Sequence, residues 1–215
     1  MYNPKLIADL KAMVADVETT KLLKALEDEA KTWGEHSDWP WNGFVLSGAT
    51  RGGSARWDKN IKPHYEDKFS WKVLSGLSDD EVKKRLNQVG RFKTITGAWL
   101  WKVFEEIRKK GGPSGIRTHL APMSAPGVIC FLQCFLGCGP KYARNIMMDV
   151  HDPRFHNKYF AIDSRIKKLL FNRLGYTGKK NDYAAQEDFL VGLAAEVGIS
   201  CWELDRLLYN KAKDV

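Results

Sequence analysis

Cysteine is scarce in this 215-residue chain: there are 4, with Cys130, Cys134 and Cys138 recurring every four residues and Cys201 standing alone. The first residues, MYNPKLIADLKAMVADVETT, carry Asp9, Asp16 and Glu18 through their apolar stretch. Neither a disulfide framework nor a secretory leader is therefore expected, and the expected compartment is intracellular. Long apolar runs are missing too. None approaches the roughly 18–20 residues a membrane helix needs, so no membrane partner is expected. Alternating strand patterns are nearly absent, and repeats and low-complexity tracts are lacking, which argues against sheet-rich and solenoid folds. Acidic residues fall short of basic ones, 26 against 34, for a net charge of +8. That excess favours a polyanionic partner, nucleic acid being the commonest. The chain is rich in core material, 44% hydrophobic with 8 Trp, which excludes disorder for most of its length.

Periodicity predicts an all-α protein. Leu6, Ile7, Leu10, Met13, Val14 and Val17 recur at spacings of three and four over residues 4–17, and Leu22, Leu23 and Leu26 continue a second helix to about Trp33. A breaker-rich link, residues 34–42, follows. Apolar character resumes at Phe44-Val45-Leu46 and stops at Arg51-Gly52-Gly53. Ser78 and Glu81 form a capping box opening a helix toward Val89, and a strong helix over 94–110 ends at Gly111-Gly112-Pro113. Further helices are expected from about Ser124 to Phe135, over 141–149, over 164–174 behind an Asp163 cap, and after a second capping box at Ser200 and Glu203.

The segment FLQCFLGCGPKYARNIMMD reads as helix, glycine turn, helix. Two glycines two apart let the backbone turn sharply and expose N–H groups, and the helix that follows presents its positive end. Such a concavity binds phosphate without a particular side chain, which on a basic chain points to nucleic-acid backbone. An ordinary interhelical turn explains the same glycines. Lys141 follows the turn directly, and Asp163 comes 22 residues later at a helix start.

With those two residues the chain resembles the helix-hairpin-helix (HhH-GPD) DNA glycosylases, the family of endonuclease III and the 8-oxoguanine DNA glycosylases. Their turn reads L-P-G-V-G-x-K-x-A, and V-D-x-H-V comes later, ahead of R-x-x-x-R. Here the turn is Phe135-Leu136-Gly137-Cys138-Gly139-Pro140-Lys141-Tyr142-Ala143, and the later stretch is Ile162-Asp163-Ser164-Arg165-Ile166. FVLSGAT (44–50) is similar to the family's I-L-S-x-Q-T helix and VGRFKTITGAWL (89–100) to its G-x-x-x-x-K-A stretch. ELDRLLYN (203–210) looks like the end of the compact 8-oxoguanine enzymes. There are departures. Arg165 replaces the histidine, Ala49 stands where Gln or Asn often enters the duplex, and the chain ends Lys213-Asp214-Val215 rather than in lysine. Only Cys201 lies where the endonuclease III group carries four cysteines, so no iron–sulfur cluster and no other cofactor is expected.

The resemblance implies two helical domains with a cleft between them: residues 40–158 carrying the hairpin, and residues 1–39 with 159–215 forming the other. It implies a base-excision-repair glycosylase with β-lyase activity. Lys141 would be the nucleophile and Asp163 the carboxylate, with 8-oxoguanine favoured; the alternative is a monofunctional glycosylase or lyase for another damaged base, an oxidised pyrimidine or a deaminated or mispaired base. Gly137, Cys138, Gly139, Tyr142, Ala143 and Arg51 would contact DNA, and the carbonyls of Gln133, Phe135 and Cys138 would hold a monovalent cation. The expected partner is double-stranded DNA with a damaged base, bound by a monomer. The expected location is the nucleoid of a prokaryote or the nucleus of a eukaryote.

Two rival readings stand beside it. In one, the hairpin only grips phosphate and no bond is cut. In the other, Cys134-x3-Cys138-x12-His151-x4-His156 is a two-Cys, two-His zinc site. Against zinc, Cys134 falls in a predicted helix, and Cys130, Cys134 and Cys138 share helical spacing with Phe131 and Phe135, as buried core thiols would. Trp39-Pro40-Trp41 either stacks on an extruded base or covers the domain junction. His36, His64, His119 and the pair Lys167-Lys168 are expected at the surface or in structural roles.

Overall fold

The computed structural model describes residues 2–51 and 56–211. Among them are twelve α-helices and no strand: α1 Pro4–Ala15, α2 Val17–Glu35, α3 Trp41–Thr50, α4 Trp71–Ser75, α5 Asp79–Leu86 and α6 Lys93–Lys109, followed by α7 Gly112–Leu120, α8 Ala125–Gln133, α9 Pro140–Met148, α10 Ser164–Asn172, α11 Tyr183–Val197 and α12 Cys201–Asn210. Short π and 3-10 turns fill residues 57–69. The fold is all-α, as the periodicity predicts. No helix among the described residues is long and apolar enough to cross a membrane.

Local chemistry sets many of these ends. Asn3 caps α1, accepting from the Lys5 N–H, and the Asp16 carboxylate accepts from the Thr19 N–H at the start of α2. Both expected capping boxes form, Ser78 with Glu81 and Ser200 with Glu203. Gly111 stops α6 as expected, in the left-handed conformation, but Gly112 and Pro113 then open α7. α4, α7 and α11 have no counterpart in the sequence expectations. α11 buries Gln186 and Glu187 among its leucines, which interrupts the apolar stripe that marks a helix.

The chain forms two compact units, a terminal one of residues 1–32 and 147–215 and a central one of residues 33–146. It passes between them inside α2 and inside α9, whereas the expected limits, 39/40 and 158/159, fall in breaker-rich links.

The central unit is built around α6, whose Leu100, Val103, Phe104 and Ile107 are fully buried between α3, α5 and α7. Trp41 and Trp71 pack on Phe104 with ring centroids 5.5 and 4.6 Å away. The Asp38 carboxylate, buried with them, accepts from the Tyr65 hydroxyl and the Trp71 N–H. Arg117 closes the preceding bend by donating to the carbonyls of His36, Ser37 and Trp39. Trp39 and Trp41 are thus core residues, and neither ring is offered to an extruded base.

The terminal unit packs α1, α10 and α12 with α11 around Leu10, Ile166, Leu170, Leu190, Leu193 and Leu204. The end of α9 is anchored on α12. The Trp202 indole donates to the Met148 carbonyl, the Trp202 N–H donates to the His156 carbonyl, and Arg206 pairs with Asp149 at 3.1 Å. In this anchor His151 takes a left-handed φ of 52° and its ring lies against that of His156, tilted by 45° with centroids 3.9 Å apart. Burial, followed by the His156 ring, lowers the His151 pKa below its ordinary value, while Glu27 and Glu203 oppose that shift and Lys31 adds to it.

A depressed histidine pKa makes the unfolded chain the stronger proton acceptor, so stability declines as the pH falls below about 6.5. Replacing His151 by Asn, which tolerates a left-handed backbone, is expected to flatten the Tm profile between about pH 7 and pH 5. Parallel profiles for parent and variant would rule the group out.

Candidate catalytic residues and the glycine hairpin

The hairpin lies in the central unit. α8 ends at Gln133, the chain turns through Cys134–Gly139, and Pro140 opens α9. Gly137 has a φ of 75°, and a Cβ there would stand 2.6 Å from both Cδ1 and Nε1 of Trp99. Conformation and close approach both require glycine at this position. Gly139 differs, because a Cβ there meets nothing within 4 Å, so the space before that backbone is open. The first backbone bond of α9 joins the Ala143 N–H to the Gly139 carbonyl at 3.0 Å.

Cys138 faces inward. It is 3% exposed, and its N–H donates to the Phe135 carbonyl at 3.0 Å. Burial pushes its thiol up to about 12, against the opposing charge of Lys141, so it stays protonated at neutral pH. Cys130 on α8 and Cys134 just after it are exposed, and Cys134 Sγ contacts the Cys130 carbonyl. The expectation of three core thiols is corrected to one, because α8 turns its Val128, Ile129 and Leu132 inward instead. No group of three or more His, Cys, Asp or Glu among the described residues is placed to hold a metal ion. The His151 and His156 rings lie against each other at a tilt, and His156 Nε2 lies 3.0 Å from the His151 carbonyl.

Lys141 sits in the first turn of α9, half-buried, with Nζ 4.4 Å from the centre of the Tyr142 ring. Tyr142 in turn lies 6.0 Å from Trp99, so one aromatic pair backs both the lysine and the glycine turn. Ala143 is fully buried. Arg51 is exposed at the end of α3. Gly52 and Gly53 after it, and Lys213-Asp214-Val215, lie outside the described residues. Ala49 is fully buried within α3, so it is no wedge.

Asp163 lies in the terminal unit as the cap of α10. Its Oδ1 accepts from the N–H groups of Arg165 and Ile166 at 2.8 and 2.9 Å, and its Oδ2 from Arg165 Nε at 3.1 Å. The Arg165 guanidinium lies 3.9 Å over the Tyr209 ring. Arg165 therefore orients the carboxylate, and Tyr209 on α12 braces the guanidinium. The place of Arg165 two residues after Asp163 was the only signal in the sequence. Tyr209 and Trp99 gave none as site residues, since both read as ordinary helix aromatics.

Comparison with models of known protein families finds no match, and comparison with the curated proteins finds none either. Solved structures do match. The chain shares the all-α fold of compact archaeal and bacterial DNA glycosylases. One is the 8-oxoguanine DNA glycosylase of Methanocaldococcus jannaschii, at 17% identity and a TM-score of 0.71 over 98% of this chain and 95% of that one. A second is an 8-oxoguanine glycosylase/lyase of the same organism in complex with a 15mer DNA containing 8-oxoguanine, at 16% identity and 0.71 over 97% and 98%. A third is the 8-oxoguanine DNA glycosylase of Thermotoga maritima, at 17% identity and 0.69 over 96% and 95%.

The two hairpin glycines are expected to respond differently to alanine. Gly137→Ala must strain the backbone and displace the Trp99 indole, at a cost on the order of 2–4 kcal/mol. Gly139→Ala should stay within about 0.5 kcal/mol of the parent. Urea denaturation of both variants checks this, and equal stabilities would show that the contact with Trp99 is not a constraint.

Proposed function

We propose that the protein is a base-excision-repair DNA glycosylase with β-lyase activity, acting as a monomer on duplex DNA and favouring 8-oxoguanine. The observation that carries this reading is the presence of two residue types, each described within its own unit, in a fold shared with 8-oxoguanine glycosylases. A lysine opens the helix after the glycine hairpin, and a capped, arginine-held aspartate opens α10. The net charge of +8 and the open backbone at Gly139 support a phosphate-gripping surface around Lys141, Tyr142 and Arg51.

Breaking the bond between base and sugar C1′ develops oxocarbenium character, which the Asp163 carboxylate stabilises. The unprotonated Lys141 amine attacks C1′, and the base leaves with the bonding electrons and takes up a proton. Ring opening gives an imine between Nζ and C1′. Loss of a C2′ proton then expels the 3′ phosphate, which nicks the strand. The target base must leave the stack at a cost of a few kcal/mol, offset by backbone contacts. The Phe135 carbonyl accepts from the Cys138 N–H and keeps a lone pair, so it could join the Gln133 and Cys138 carbonyls, as the resemblance implies, in holding a monovalent cation. Such an ion would add charge facing a phosphate.

Borohydride trapping tests the reading, using duplexes that carry 8-oxoguanine, thymine glycol, uracil, hypoxanthine, an abasic site or no lesion. A covalent adduct on 8-oxoguanine, absent from the intact duplex, is expected. Salt-sensitive binding with no adduct and no base release would leave only a DNA-binding module. Lys141→Gln should yield no adduct, and a trapped variant would remove the nucleophile assignment. Asp163→Asn keeps a capping acceptor and so the fold, but should lose about 10²–10³-fold in excision rate with duplex affinity retained.

A further inference from the structure

Three consecutive backbone N–H groups just before Asp163 are held by side chains rather than by other backbone. The Phe160 N–H donates to Glu187 Oε1 at 2.8 Å, the Ala161 N–H to Asp205 Oδ1 at 3.2 Å, and the Ile162 N–H to the Tyr183 hydroxyl at 3.1 Å. That hydroxyl also donates to the Phe160 carbonyl at 2.6 Å, closing a loop around the segment. The acceptors come from α11 and α12, which lie 21 to 44 residues away in sequence.

Two of the three are carboxylates in the interior: Glu187 is 6% exposed and Asp205 4%. Burying a carboxylate costs several kcal/mol unless it is paired and hydrogen-bonded. Satisfying an extended segment needs no charge at all, since neutral side chains or a backbone turn would serve. Arg206 Nε lies 3.7 Å from Asp205 Oδ2, beyond hydrogen-bond distance, so its charge offsets part of the cost of burying that carboxylate. Cys201 lies close by, and burial, then Glu187 and Asp205, push its thiol up to about 12, so it adds no charge.

We propose that Tyr183, Glu187 and Asp205 are positioning residues, a clamp on residues 160–162 that fixes where the Asp163 carboxylate stands during base excision. The proposal rests on the glycosylase reading. Asp163 follows the clamped segment directly, and Arg165 with the first N–H groups of α10 sets its other side. A displacement of about 1 Å at a reacting group can cost on the order of 100-fold in rate. The carboxylate is therefore determined from both sides of its own Cα.

Tyr183→Phe removes one oxygen and keeps the ring. In single-turnover excision on the 8-oxoguanine duplex it is expected to lower the rate about 10- to 100-fold, with duplex affinity within about twofold of the parent. In the Asp163→Asn background the same change should have no further effect. Leu10→Ala, which weakens the same core at a distance, should lower Tm and leave the rate as it was. A parental rate for Tyr183→Phe, or a full additional loss on top of Asp163→Asn, overturns the proposal. Amide hydrogen exchange separates the two layers of the argument. The Ile162 amide should be protected in the parent and released in Tyr183→Phe; unchanged exchange overturns the clamp itself. A parent that excises no base on any duplex overturns the glycosylase reading, and with it the purpose of the clamp, whatever the exchange shows.

Discussion

Gly137 touches the Trp99 indole, and that contact is possible only because the residue has no side chain. A Cβ in that position would sit 2.6 Å from the ring. The close approach lets the chain reverse between α8 and α9 within a few residues, which brings Lys141 into the first turn of α9. The same indole lies 6.0 Å from Tyr142, whose ring backs the lysine ammonium. One tryptophan from α6 thus supports both the reversal and the candidate nucleophile. Because α6 is also the centre of its unit, the hairpin is built on a rigid element rather than on a free loop.

The acidic side is organised differently. Asp163 depends on charge and hydrogen bonding, with its carboxylate engaged by two N–H groups of its own helix and by a guanidinium stacked on Tyr209. Buried carboxylates and a phenol hold the segment before it. Packing alone fixes a backbone path, and directional bonds also fix which way a carboxylate points. Arg165 supplies a fixed charge and a planar donor where a histidine would offer a titrating ring.

Fold likeness at 16–17% identity over nearly the whole chain shows how little of the sequence such an architecture requires. Most core positions need only be apolar and of suitable volume. The chain's few thiols fit that view: Cys138 and Cys201 are buried, neutral core groups, while Cys130 on α8 and Cys134 at its end are exposed.

The sequence by itself determined what depends on neighbours along the chain. Capping boxes at Ser78 and Ser200, the Asp163 cap, the stop at Gly111 and the reversal at Gly137 are local events, and residue identity is enough to locate them. Only the tertiary structure decided the rest. It placed Trp99 behind the hairpin, turned Cys130 and Cys134 outward, buried Trp39, Trp41 and Ala49, and revealed α11, whose buried Gln186 and Glu187 interrupt its apolar stripe. These outcomes turn on which faces meet across long separations, as Ala161 meets Asp205 44 residues later, and no periodicity within one element records that.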